Sequence, residues 1–197
     1  MQDEQLLEAW RAGDEVAGRE LFRRHFDAVF WFFRNKIDVG AEDLAQDTFF
    51  ALVRNKQTAG RSGSFRAYLF TIARSKLIDA IRSRGAGLAV DPMQSSVAEM
   101  GLSPSAIIDG RREQVQLLSA LRTLPIELQM LVELRFFEQL SGPELSEVLE
   151  LPEGTVRSRL RRALELLRES FAAEAVGSEA SEADFERWAL ELRGAPH

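Results

Sequence analysis

Apolar residues recur at helical spacing along most of the chain, and helix is the element this pattern predicts almost everywhere. Asp3 to Ala12 is short and amphipathic, and Gly13-Asp14 interrupts it. Glu15 to Lys36 carries Leu21, Phe22, Phe26, Val29, Phe30 and Phe33 on a broad apolar face. After a turn at Val39-Gly40, Ala41 to Lys56 places Leu44, Thr48, Phe49 and Leu52 inward. Asn55 to Ser64 reads as a loop by its Gly, Ser and Thr content. Phe65 to Arg84 is a long helix with Leu69, Ile72, Ala73, Leu77 and Ile81 toward the core.

Periodicity fails from Gly85 to Pro104, where Gly, Pro, Ser and acidic residues gather. Some twenty residues without an element is long for the inside of a compact domain, so a boundary is expected there. Periodicity returns near Ile107 and runs through Leu124, and Pro125 opens a further helix to about Phe137. After Phe171 an acidic hinge leads to a last short helix, Glu182 to Leu192, with Phe185, Trp188 and Leu192 on one stripe. The fold class expected is all-α: two small helical domains, residues 1–84 and 107–171, joined by a flexible linker at 85–106, plus a C-terminal helical extension at 172–197.

The segment Leu140 to Arg168 is the most informative. Ser141 and Glu144 have capping-box spacing, with Pro143 in the first turn. Leu151-Pro152 breaks the chain. Val156, Leu160, Ala163, Leu164 and Leu167 then form one apolar stripe, opposed by Arg157, Ser158, Arg161, Arg162 and Glu165. A capped helix, a short turn and a helix with cations near its start have the layout of a DNA-binding helix-turn-helix. An arginine-rich amphipathic helix taken alone is more simply a solvated face.

Charge sharpens the picture. The net charge is −6, awkward for a protein that must hold phosphates unaided. Yet Gly154 to Glu169 has five Arg against two Glu, and Ser170 to His197 has six acids against two Arg. A basic reading head on an acidic chain predicts weak DNA binding when free and a second, DNA-gripping partner. There is no cysteine, which excludes disulfides, a thiol nucleophile and zinc-thiolate sites. The N-terminus lacks the order of a signal peptide, and no apolar run reaches the length of a membrane span, so a cytoplasmic protein without membrane insertion is expected. No phosphate loop or metal cluster is legible, and the two histidines, His25 and His197, suggest packing and terminus rather than catalysis. No enzyme activity, cofactor or metal is expected.

A second constellation lies in Glu42 to Phe50. Asp43, Gln46 and Asp47 stand at i, i+3 and i+4, on one helix face. With it the whole chain resembles bacterial sigma factors of the extracytoplasmic-function (ECF) group, the two-domain members of the sigma-70 superfamily. EDLAQDTF is similar to the family's polymerase-binding helix in region 2. FRAYLFTIARSKLIDAIRSR is similar to the promoter-melting helix. LRTLPIELQMLVELRFFEQLSGPELSEVLELPEGTVRSRLRRALELLR is similar to region 4. The likeness covers roughly Asp3 to Phe171.

The resemblance implies a factor that directs core RNA polymerase to promoter DNA and promotes initiation, with an anti-sigma factor or other regulator as a further partner. Asp43, Gln46 and Asp47 would bind core polymerase. Asn55, Ser64, Phe65, Arg66, Tyr68, Arg74 and Ser75 would hold the −10 element as a single strand. Arg157, Ser158, Arg161 and Arg162 would read the −35 element in the major groove, with Thr155 and Arg159 on phosphates. The chain departs from the family's pattern at Tyr68, often Trp, at Ser75, often Asn, and at Arg161, often aromatic or aliphatic. Two other readings stay open on the residues alone. A stand-alone helix-turn-helix regulator explains Leu140 to Arg168 but not the acidic helix. A helical adaptor would use the acidic face and the Trp188 stripe to bind proteins.

Overall fold

A computed structural model describes residues 1–37, 39–60, 63–84, 91–101 and 112–173, without the side chains of 112–116 and 171–173. Among the described residues every regular element is helical. In chain order these are α1 (Asp3–Arg11), α2 (Glu15–Arg34), α3 (Ala41–Arg54), α4 (Phe65–Arg84), α5 (Arg112–Thr123), α6 (Ile126–Val132), α7 (Gly142–Leu149) and α8 (Glu153–Ala173). A π-helical turn, Glu133–Phe137, prolongs α6. The expected C-terminal helix, Glu182 to Leu192, lies outside the described residues.

The first four helices form one unit. Asp14 caps α2 by accepting from the backbone N–H groups of Val16 (2.8 Å) and Ala17 (3.3 Å). Gly40 enters α3 at φ +85°, a conformation that favours glycine, which explains the Val39-Gly40 turn. Gly18 lets α2 lie directly on Trp10 of α1: a Cβ there would stand 2.5 Å from the indole nitrogen. Leu21, Val29 and Phe33 are buried as their spacing predicts, and Phe32 joins them. Phe22 does not. It sits 43% exposed at the rim, its ring 4.6 Å from Phe49 and 5.0 Å from Phe26. The apolar face of α2 is wider than its contact with α3, so the edge position stays in water.

The second unit is built on α6 and its π turn. One side, Leu128, Val132 and Phe136, packs with Leu117, Leu121 and Leu124 around α5, and with Ala163, Leu164 and Leu167 of α8. The other side, Ile126, Met130 and Leu134, joins a larger core that runs back through the first unit to Leu6. All of α6 is therefore buried, its polar Glu127 and Gln129 included.

The two units share that core, although the sequence suggests separate domains. α4 lies against α1, α2 and α3 and also against α7. Its buried residues, Phe65, Ala67, Leu69, Phe70, Ala73, Leu77, Ile78 and Ile81, go round the helix, as burial on more than one face requires. Part of the expected linker is structured as well. Within 91–101, Ala98 N–H donates to the Arg122 carbonyl (3.1 Å), while the Ser95 and Pro92 carbonyls accept from Ile126 (3.1 Å) and Glu127 (3.0 Å). Val97 is fully buried in the shared core. One valine and a few backbone bonds do this without any periodic pattern. Residues 85–90 and 102–111 lie outside the described set.

A buried ion pair closes the junction. Lys36, just past α2, bonds to Glu133 on the π turn and donates to the Phe32 carbonyl (2.7 Å), over whose ring it sits at 4.1 Å. Gln129 donates to the other Glu133 oxygen (2.9 Å). Burial pushes the Lys36 ammonium below its usual pKa, and the Glu133 carboxylate opposes that shift. A pair of this kind costs much when one partner is lost and little when both are replaced by apolar groups. Lys36→Met should therefore destabilise the chain by about 3–5 kcal/mol in urea denaturation, and K36M/E133L should recover most of the loss. Gly18→Ala should destabilise it too. Helix propensity favours alanine by about 1 kcal/mol, but overpacking against a buried ring costs about 1–3 kcal/mol, so the midpoint should fall.

Candidate nucleic-acid and polymerase interfaces

α8 starts at the turn after Pro152, where the Pro152 carbonyl accepts from Thr155 (2.8 Å) and Val156 (3.0 Å). Val156, Ala163, Leu164 and Leu167 are buried and Leu160 is half-buried, so the apolar stripe holds. The opposite face projects Arg157, Ser158, Arg161 and Arg162 into solvent. Arg161 and Arg162 are 79% and 56% exposed at the side chain and reach loosely to Glu165 at 3.9 and 3.5 Å. The Ser158 hydroxyl donates to the Thr155 carbonyl (2.9 Å). Arg159 turns inward instead, to Glu127 at 3.6 Å. α7 supports this head with the capping box read from the sequence: Ser141 N–H donates to Glu144 (2.8 Å), and Glu144 N–H reaches the Ser141 hydroxyl (3.5 Å).

The surface at the start of α4 is covered. The Ser64 hydroxyl accepts from Ala67 N–H (3.1 Å), capping α4, and donates to Glu144 (2.5 Å), which caps α7. One carboxylate thus serves two helix N-termini, where negative charge is favoured. Partial burial opposes the charge on Glu144, but the bonds from Ser64 and from the Ser141 hydroxyl and N–H outweigh it and hold its pKa below the usual carboxylate range. Arg66 bonds to the Glu138 carbonyl and stands 3.2 Å from its carboxylate. Arg74 donates to Glu127 (2.7 Å) through one terminal nitrogen, while its buried Nε has no hydrogen-bond partner.

The other residues expected on the −10 surface are scattered. Phe65 is fully buried, 5.3 Å from the ring of His25, and offers no face for a base to stack on in this conformation. Tyr68 is half-buried against the shared core and Ser75 is exposed. Asn55 is exposed and organises its loop, its carbonyl accepting from Thr58 (2.9 Å) and Ala59 (3.2 Å). His25 bonds to Asp3 (2.7 Å). Burial lowers its pKa against the pull of that carboxylate, and the residue packs α1 onto α2.

On α3, Asp43, Gln46 and Asp47 are all exposed on one face, with Gln46 reaching Glu42 at 3.4 Å. The structure adds what the sequence reading passed over. Phe50 and Val53, one and two turns on along the same face, are 61% and 50% exposed, and Phe22 lies close by on Phe49. Their signal was present in the spacing from Gln46 and Asp47, outside the inward set of Leu44, Thr48, Phe49 and Leu52. Among the described residues no group of acidic or histidine side chains has the arrangement of a metal site, and no helix is long and apolar enough to cross a membrane.

Two family models match the chain, Sigma-70 region 2 over residues 21–87 and Sigma-70 region 4 over residues 114–167. The chain is 34% identical over 169 residues to the ECF RNA polymerase sigma factor SigE of Mycolicibacterium smegmatis, covering 81% of this chain and 65% of that protein. It is 32% identical over 167 residues to the ECF RNA polymerase sigma factor RpoE of Cereibacter sphaeroides, covering 79% and 87%. Its fold is similar to that of the sigma factor RpoE from Bartonella quintana, solved with the anti-sigma factor NepR, at a TM-score of 0.63 and 21% identity over 79% of this chain and 97% of that one. With regions 2 and 4 in the order α1–α4 then α5–α8, the chain belongs to the ECF sigma factors of the sigma-70 family.

Proposed function

We propose that this chain directs core RNA polymerase to promoters through three surfaces with separate tasks, in the cytoplasm, and that polymerase alone performs the phosphoryl transfer. The α3 face docks on polymerase. Asp43 and Asp47 pair with basic side chains, Gln46 adds hydrogen bonds, and the exposed rings of Phe50 and Phe22 with Val53 supply apolar area beside them. α8 reads the −35 element, with Arg157, Ser158, Arg161 and Arg162 on base edges and Thr155 on phosphate. The start of α4 and the loop from Asn55 hold the −10 strand, with Arg66, Arg74 and Ser64 on its phosphates. Polymerase fixes the spacing of the two DNA surfaces, so two weak contacts become one strong one by effective concentration.

The observation that carries this reading is the exposed, carboxylate-bearing α3 face on the same scaffold as an exposed arginine head. A stand-alone regulator has no use for the first, and a protein adaptor none for the second. An anti-sigma factor is a further partner this reading admits, the relative from Bartonella quintana having been solved with one.

Run-off transcription with purified core polymerase, on genomic fragments that the unmodified chain activates, is the direct test. R161A/R162A should lower initiation by one to two orders of magnitude, about 1–3 kcal/mol of base discrimination, with polymerase binding retained. Asp47→Ala and Phe50→Ala should each weaken polymerase binding severalfold in a pull-down or anisotropy titration and leave duplex binding by α8 unchanged. The reverse ranking, or no initiation under any condition, would exclude a sigma factor's division of labour.

A further inference from the structure

α1 lies ahead of the residues that match region 2, and its C-terminal end meets the loop that follows α3. Arg11, its last residue, is half-buried and spans that loop with one guanidinium. Its Nε donates to the Lys56 carbonyl (2.8 Å), and a terminal nitrogen bonds to the Ala59 carbonyl. The residues around Arg11 complete the seat. The Lys56 ammonium lies 5.0 Å from the centre of the Trp10 ring and 3.6 Å from Glu15. Ala59 is fully buried, and Gly60 turns at φ +63°, where a Cβ would stand 3.4 Å from Leu7. Within the loop the Asn55 carbonyl also accepts from the Thr58 hydroxyl (3.0 Å). Asn55, Gln57 and Thr58 are left exposed.

A segment rich in Gly, Ser and Thr has little order of its own, so the shape of this one is imposed from α1. A guanidinium suits that task. Its donors are fixed in one plane, and two carbonyls bound to it keep a set separation. A lysine at the same place would keep the charge but offer rotatable donors on one atom, a looser hold.

We propose that Arg11 is a positioning residue for promoter-strand recognition: by fixing the Lys56 and Ala59 carbonyls, it sets the turn on which Gln57 and Thr58 meet the −10 strand. The inference rests on the reading of the loop from Asn55 as part of the −10 surface. Arg11 itself touches no DNA. A preorganised turn pays no ordering cost on binding, and its side chains cannot readjust around a wrong base. Arg11 therefore acts on selectivity more than on attachment. α1 takes part in reading DNA through a contact made wholly within the protein.

The test uses the full chain bound to core polymerase. The probe is forked DNA, with the −35 element as duplex and the −10 element as a single strand, from a promoter that the unmodified chain activates. Discrimination is the ratio of affinities for the natural −10 strand and for strands with one base replaced. Arg11→Ala should lower that ratio roughly fivefold and Arg11→Lys roughly twofold, with polymerase affinity retained. The chain has no cysteine, so Gln57→Cys gives a single site for a nitroxide label. Its mobility in the free chain should rise with R11A and rise less with R11K. Should R11A fail to fold, R11K carries both measurements with the same sign. An unmoved label overturns the hold on the loop. A uniform loss of polymerase and DNA affinity with the ratio unchanged makes Arg11 merely structural and overturns the positioning role. Q57A/T58A, which leaves Arg11 in place, separates this from the −10 assignment. A reduced ratio there and an unchanged one in R11A removes the role of Arg11 alone. An unchanged ratio in both removes the loop from the −10 surface as well. A loss in R11A without one in Q57A/T58A overturns the route through those two side chains.

Discussion

The junction between the two helical units depends on α4 being apolar on more than one face while its polar groups still find partners. Arg82 and Arg84 reach water at the end of α4, but Arg66 and Arg74 are half-buried under the second unit and are answered by carboxylates from the elements that cover them. α6, its π turn and α7 supply those carboxylates. Lys36 and Glu133 repeat the solution at the deepest point, where an isolated charge would be most costly. The π turn begins at Glu133 itself, and turns of this kind concentrate at functional positions. The packing of the two regions on one another thus combines these pairings with the apolar core they share.

Much of the architecture was legible from period alone. α4 matched its predicted limits, and α1, α2 and α3 differ from theirs by one or two residues at the C-terminal end, where helices fray. The Ser141–Glu144 box and the stripe on α8 were equally plain, because both are local. What failed was long-range. Val97 and the carbonyls of Pro92 and Ser95 bind the second unit with no repeating pattern to announce it. Phe50 and Val53 fall outside the inward set of α3, but spacing alone does not say that they form an exposed apolar patch. Arg159 sits among outward arginines in sequence and faces inward in space, because Glu127 is there to receive it. Period reports which residues share a face; it does not report what that face meets.

The charge of the chain also finds a place here. A net charge of −6 opposes binding to nucleic acid, and the excess is not all surface acidity. Glu127, Glu133 and Glu138 are buried, each beside a cation of region 2. In the closed form these carboxylates cancel cations that would otherwise attract phosphates. The overall charge and this internal pairing both act against attraction of phosphates to α4.

The energetic consequence is a threshold. A ligand shifts a closed–open equilibrium only by its difference in affinity for the two forms. Polymerase meeting α3 alone would gain nothing from parting the two units, because that face is already exposed with them packed together. Any separation of the units would need a further contact, to region 4 or to a DNA strand, that favours the separated form. Each is weak singly, and held on one polymerase they act at high effective concentration. The buried pairs set how large that combined contribution must be. Weakening one partner of such a pair would loosen the junction between the two units, since a lone charge left buried there is costly.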